Sequence, residues 1–136
     1  MTFIYEQPRH ITIQEKEYIK TNFMSMLHHS KEEFDKLKNS KNEVFLKQAC
    51  EKVFVAIEHF VELKKNIDIT KHYQFRREFR SIKGININTV ENLISKADSL
   101  HQFFYNGAMY ESDYNIIEKK YLDVYNYLNT KIKFYQ

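Results

Sequence analysis

The stretch Glu43-Val44-Phe45-Leu46-Lys47-Gln48-Ala49-Cys50-Glu51-Lys52-Val53-Phe54-Val55-Ala56-Ile57-Glu58-His59-Phe60-Val61-Glu62-Leu63-Lys64-Lys65 decides the fold. Stepped at about 100° per residue, Lys47, Glu51, Glu58, Glu62 and Lys65 fall on one strip, with Gln48, Lys52 and His59 beside it. Phe45, Leu46, Ala49, Val53, Phe54, Ala56, Ile57, Phe60, Val61 and Leu63 cover the rest. An apolar surface this broad must be covered from several sides, which predicts the most buried helix of a bundle.

Upstream, Thr12-Ile13-Gln14-Glu15 has the spacing of a capping box, in which each side chain satisfies an orphan backbone N–H. Ile19, Phe23, Met26, Leu27, Phe34 and Leu37 then recur at helical intervals, predicting a helix over 12–38. Asn39 to Asn42 breaks that pattern, and Ser40 with Glu43 predicts a second capping box. Downstream, 66–71 reads as a connection and Tyr73 to Ile82 as a short helix with Phe75, Phe79 and Ile82 inward. Gly84 to Ile87 reads as another connection. Asn88-Thr89-Val90-Glu91 predicts a cap, followed by an apolar stripe of Val90, Leu93, Ile94, Ala97, Leu100, His101 and Phe104. Asn106-Gly107 predicts an αL stop, and Ser112 a cap for a last helix carrying Tyr114, Ile117, Tyr121, Val124, Tyr125, Leu128, Ile132 and Tyr135. The expectation is an all-α, antiparallel up-and-down helical bundle of four long helices plus one short helix. It forms a single domain over 1–136, with 1–11 as an N-terminal extension.

Composition bounds the rest. The 136 residues include 11 Phe and 10 Tyr, enough core volume for folding without a metal or disulfide. Two Gly and one Pro argue for long uninterrupted helices and against a glycine-rich nucleotide loop. Cys50 is the only cysteine, so no intrachain disulfide can form. The segment Met1 to Pro8 lacks the basic and apolar regions of a signal peptide, and no run approaches the ~20 apolar residues of a membrane span. A cytoplasmic protein with no membrane association is expected. The net charge of +3 is too mild to indicate nucleic-acid binding without local clustering.

Such clustering occurs at Lys71, His72, Arg76, Arg77, Arg80 and Lys83, which hold three of the four arginines of the chain. Arginine forks suit phosphate, and Tyr73 and Phe75 are interleaved to stack on bases or pack inward. A solvated face or a protein contact is the plainer reading, and Glu78 interrupts the run. His28 and His29, with Glu32 and Glu33 four residues on, read as two separate surface pairs rather than a metal site. No metal and no cofactor are expected. Glu58 and Glu62 share a face as acid/base carboxylates would, but Lys65 continues the strip and makes an exposed ion-pair row the expectation. Cys50 reads as a small buried hydrophobe rather than a nucleophile. His101, within an apolar stripe, reads as a packed core histidine or as a base toward a ribose 2′-hydroxyl.

Two segments together resemble the HEPN superfamily, particularly its small archaeal PaREP-type members. Gln48 to Glu58 resembles the family's Ala-x-Glu-Lys helix, and Ala97-Asp98-Ser99-Leu100-His101-Gln102-Phe103-Phe104-Tyr105 its Ala-x-x-Leu-His-x-x-Phe-Tyr segment. The matching order and spacing run along about residues 44–133. The resemblance implies a helical bundle, a homodimer, and a role in RNA cleavage or in nucleotide-related toxin–antitoxin and defence systems. Nuclease-active members carry an Arg, then four to six intervening residues, then the His. Here His101 matches the His, while Lys96 stands where the Arg would be and Ala97 replaces the polar residue after it. Thr70-Lys71-His72 is similar to the family's Thr-His pair, with one residue inserted.

Three functions follow as expectations. The first is a dimeric HEPN-like domain binding nucleotide, RNA or a partner protein without strong catalysis. The second is a metal-independent endoribonuclease using His101 with Lys96, helped by the basic segment, although about 140° of helix separates those two side chains. The third is a structural or antitoxin-like interaction module. A nucleotidyltransferase-like or antitoxin protein is the implied partner, and Tyr105, Tyr110, Tyr125 and Tyr127 are the expected dimer aromatics.

Overall fold

The computed structural model describes residues 4–107 and 111–136. Five α-helices pack together: α1 (Ile13–Asp35), α2 (Glu43–Lys65), α3 (His72–Arg80), α4 (Ile87–Asn106) and α5 (Glu111–Asn129). Short 3-10 turns at Lys36–Lys38 and Ile132–Phe134 extend α1 and follow α5. Tyr110 and the first three residues lie outside the described residues. No helix among the described residues is long and apolar enough to cross a membrane.

The central position of α2 follows from its sequence. It packs against each of the other four helices. Leu46, Ala49, Cys50, Val53, Phe54, Ala56, Ile57, Phe60, Val61 and Leu63 are all buried. Phe23 and Leu27 of α1, Phe75 and Phe79 of α3, Leu93 and Leu100 of α4, and Tyr121 and Val124 of α5 join them in one core. Burial raises the Cys50 thiol well above its ordinary pKa, so it serves as packing volume. The apolar stripe of α4 runs to buried Phe103 rather than Phe104, which is only half-buried.

Boundaries show which local signals win. The capping box of Thr12 and Glu15 forms in full. Ser40 does not cap α2. Asn42 does, its Oδ1 accepting from the Val44 amide at 3.0 Å, because a cap must stand directly before the first helical residue. By the same displacement Asn86, not Asn88, caps α4, and Ser112 lies inside α5, which begins one residue earlier. At the end of α2, Asn66 takes the left-handed conformation (φ 57°, ψ 46°), which its short polar side chain tolerates. Gly107 also has positive φ (73°), but its ψ of −177° is extended, so α4 does not end in an αL turn. A Cβ on Gly107 would come within 2.8 Å of Glu43 Oε1, which that flexible side chain can relieve by shifting, so the positive φ is what favours glycine there.

Within the N-terminal extension, the described residues 5–11 dock on the rest of the fold. Residues 9–11 lie along the α2–α3 connection, where the Ile11 amide donates to Asn66 O (3.1 Å) and the Asp68 amide to Arg9 O (2.9 Å). The result is an isolated antiparallel bridge between His10 and Ile67. Gln74, buried at the start of α3, accepts from the amides of Thr70 and Lys71 and donates Nε2–H to Glu6 O.

Between α1 and α5, buried Ser30 and Tyr121 share a hydroxyl contact of 2.9 Å, and Ser30 Oγ also donates to Leu27 O at 2.7 Å. Tyr121→Phe leaves Ser30 bonded to Leu27, so a loss of about 1 kcal/mol is expected in urea unfolding. Tyr121→Ala, which also opens a cavity beside Phe34, is expected to cost about 3–5 kcal/mol.

Candidate functional site

Three helices bring their polar side chains together at one place. His101 of α4 is mostly buried, 20% exposed, with Nδ1 3.1 Å from Glu51 Oε2 of α2. Its ring stacks on Phe54 of α2 at 4.3 Å and 20°. His72, at the start of α3, lies across the helix junction with its ring centre 4.7 Å from that of His101. One turn along α3, Arg76 stands 3.5 Å from Asp98 Oδ2, itself one turn before His101 on α4. Tyr105, one turn after His101, meets the His101 ring edge-on at 4.9 Å and is 67% exposed.

The electrostatics separate the two imidazoles. Burial holds His72 below the ordinary histidine pKa, and the positive charges of His101 and Arg76 add to the effect, opposed by Asp98 and Glu51. His72 is therefore a neutral imidazole near pH 7, able to accept a proton or a donor hydrogen. His101 has no such freedom at Nδ1, where the Glu51 carboxylate accepts its hydrogen bond and fixes the ring. A neutral histidine, an oriented histidine and a guanidinium within one junction can engage a phosphate and move a proton.

The remaining sequence candidates are distributed differently. Lys96 is on the other side of α4, donating to Asp123 Oδ2 of α5 at 2.8 Å, so the fold of one chain does not bring it to His101. Most of the basic segment is already engaged. Arg80 bonds Glu91 of α4 at 2.6 Å, Lys71 pairs with Glu6, and Arg77 lies 3.9 Å above the Tyr5 ring. Lys83 is exposed in the α3–α4 connection. Of the expected dimer aromatics, Tyr125 stacks on Tyr121 and Tyr127 packs against Phe60, which leaves Tyr105 as the exposed one within the described residues.

Two surface expectations are corrected. His28 and His29 do not form separate pairs; both approach Glu32, at 3.4 and 2.7 Å, because His29 reaches it at i+3. Glu33 turns instead to Lys36 and Lys52. Nor do Glu58, Glu62 and Lys65 form an exposed ion row, since the α2–α3 connection and α3 cover that strip. Glu62 is buried, accepting from His59 Nδ1 (2.6 Å) and the Ile69 amide (2.9 Å). Lys65 reaches Ser81 (2.7 Å) and Glu78 (3.7 Å). No group of three or more His, Cys, Asp or Glu able to hold a metal occurs among the described residues.

With this geometry in hand, comparison with protein-family models, curated proteins and solved structures gave no match. The reading of the site therefore rests on its own residues. Sequence reasoning missed Glu51 and Asp98 as partners. The available signal was a polar strip on α2, the helix that needs covering on every side, facing a histidine set in the apolar stripe of α4.

Glu58 gives a measurable consequence. Burial, then the charges of Glu62 and Glu51, pushes its carboxyl from the usual 4.5 up to about 8. The folded state binds this proton more tightly than the unfolded state, so the contribution to stability is fully present below about pH 4.5 and is lost as pH rises through about 8. Glu58→Gln is expected to raise the thermal midpoint by several degrees in mildly alkaline buffer. The gain should shrink as pH falls from about 8 and vanish only below about pH 4.5, as followed by circular dichroism.

Proposed function

We propose that this chain is a HEPN-like helical domain, arranged as an antiparallel up-and-down bundle, that binds the phosphate of RNA or of a nucleotide at the His72–His101–Arg76 junction and has little or no catalytic activity. The observation that carries the reading is the contact between His72 and His101, drawn from different helices and held beside Arg76. A purely structural histidine buries its ring and satisfies its nitrogens. A pair of imidazoles at a junction, one kept neutral and the other tied to a carboxylate, with a guanidinium alongside, matches the donors a phosphate needs. Exposed Tyr105 offers an aromatic surface for a base at the same place.

The proposal includes a homodimer, in line with the family resemblance. Cytoplasmic residence and a nucleotidyltransferase-like or antitoxin partner belong to the same reading. Lys96 supports weak catalysis at most. Its ammonium is committed to Asp123, and an ammonium lacks the planar fork that steadies a scissile phosphate.

A second reading, metal-independent endoribonuclease, is favoured by one observation. His72 is held below the ordinary histidine pKa, which suits a base, and lies against His101, whose Nδ1 is oriented by Glu51. On that reading His72, rather than Lys96, accompanies His101.

Fluorescence anisotropy with a labelled single-stranded RNA tests the proposal. Binding is expected to strengthen as pH falls through the depressed titration range of His72. His72→Ala should remove that pH dependence, and His101→Ala should weaken binding about tenfold or more, with helical content unchanged. Binding that neither substitution alters would reject the site. Rapid RNA cleavage by the parent chain, lost in both variants, would promote the second reading. Light scattering that gives a monomer mass across micromolar concentrations would remove the dimer.

A further inference from the structure

The N-terminal segment has a root and a tip that are held in different ways. The root, Arg9 to Ile11, is fixed through backbone hydrogen bonds to residues 66–68. The tip, Tyr5 and Glu6, is held mainly by side chains. The Tyr5 ring lies under the Arg77 guanidinium at 3.9 Å and meets Tyr73 edge-on at 5.7 Å. The Glu6 carboxylate pairs with Lys71, and the Tyr5 hydroxyl donates to Glu78. One backbone contact joins the tip to α3, from Gln74 Nε2 to Glu6 O at 2.9 Å. Gln7 and Pro8 separate the two parts.

The chemistry of the tip has a specific form. A flat aromatic ring covers a guanidinium while a neighbouring anion engages an ammonium six residues away on the same short element. A nucleotide makes the same pair of contacts, its base stacking on arginine and its phosphate meeting lysine. Glu6 and Lys71 are 63% and 49% exposed, so the ion pair is of the weak surface kind that a competing anion can displace. When the tip lifts, Glu78 loses the Tyr5 hydroxyl but keeps Lys65 at 3.7 Å, so no bare carboxylate is left facing the ligand.

We propose that Tyr5-Glu6 is an internal stand-in for one nucleotide, seated on Lys71 and Arg77, that single-stranded RNA displaces when it binds along α3. This rests on the reading that α3 meets RNA, and it adds a regulatory element to it. The segment lowers RNA affinity in the closed form and leaves a base-and-phosphate subsite beside the His72–His101 junction when it opens.

The test compares the parent chain with Tyr5→Ala/Glu6→Ala, using anisotropy of a short fluorescein-labelled single-stranded RNA. Opening the tip is expected to tighten binding about threefold to tenfold, the range set by one exposed ion pair and the part-buried contacts of Tyr5 with Arg77 and Glu78. Adding Arg77→Glu to the double variant should reverse the gain. Glu6→Gln, which keeps the backbone contacts and the fold, should give a smaller gain in the same direction. Unchanged or weaker binding in both the double variant and Glu6→Gln, with helical content retained, overturns the proposal. His101→Ala separates the two ideas. Binding that His101→Ala abolishes but tip opening leaves unchanged supports the junction and rejects the stand-in. Binding gained on tip opening and untouched by His101→Ala supports the stand-in and rejects the junction. Binding by neither chain rejects both.

Discussion

Because α2 is packed on by four other helices, the polar groups on its covered strip are drawn into the fold instead of being left to water. A surface helix can leave its carboxylates to water, whereas one covered from several directions cannot. Glu62 is buried and receives His59 and the Ile69 amide, while His59 closes the network through Asn22 Nδ2 at 2.7 Å. Glu51 takes the Nδ1 hydrogen of His101. Glu58, taken out of water and then crowded by Glu62 and Glu51, is pushed toward its protonated form. The candidate site is thus continuous with the polar strip of the central helix. The residues that orient His101 and those that anchor the α2–α3 connection are neighbours on one face of α2.

This continuity explains why the fold was legible in the sequence and the site only in part. Helix existence depends on apolar period, which is local and redundant: losing any one of Val53, Ile57 or Phe60 from the pattern would leave α2 recognisable. Cap position depends on a single residue, so Asn42 displaces Ser40 and Asn86 displaces Asn88. The site depends on which helix faces lie opposite one another. His101 and the basic segment could be singled out from sequence, but Glu51 as partner of His101, or Asp98 and Glu91 as partners of Arg76 and Arg80, follows only from the packing of α2, α3 and α4. The N-terminal segment was the least legible, since residues 4–11 lack a period, Arg9 and Ile11 owe their place to backbone bonds with the α2–α3 connection, and Tyr5 and Glu6 owe theirs to side-chain contacts with Arg77, Glu78 and Lys71.

The same packing changes the meaning of the basic segment. Six cationic or imidazole side chains close together in sequence suggest a positive patch, yet α3 is set between two sources of negative charge. Asp98 and Glu91 of α4 meet Arg76 and Arg80 on one side, and Glu6 meets Lys71 on the other. A phosphate approaching this helix must compete with carboxylates already in place, which limits affinity and makes it sensitive to salt. The Arg76–Asp98 contact is the loosest of these ion pairs at 3.5 Å and the one beside the imidazoles. On the proposed reading, anion entry begins there, where one exchange of partners frees a guanidinium next to His72. Lys96 has no comparable opening. Its partner Asp123 belongs to α5, on a different side of α4 from His101, so charge gained there would not reach the junction. On the proposed reading, recognition is favoured over turnover: His72, His101 and Arg76 converge at one junction, while Lys96, the cation that the family resemblance assigns to catalysis, reaches another helix.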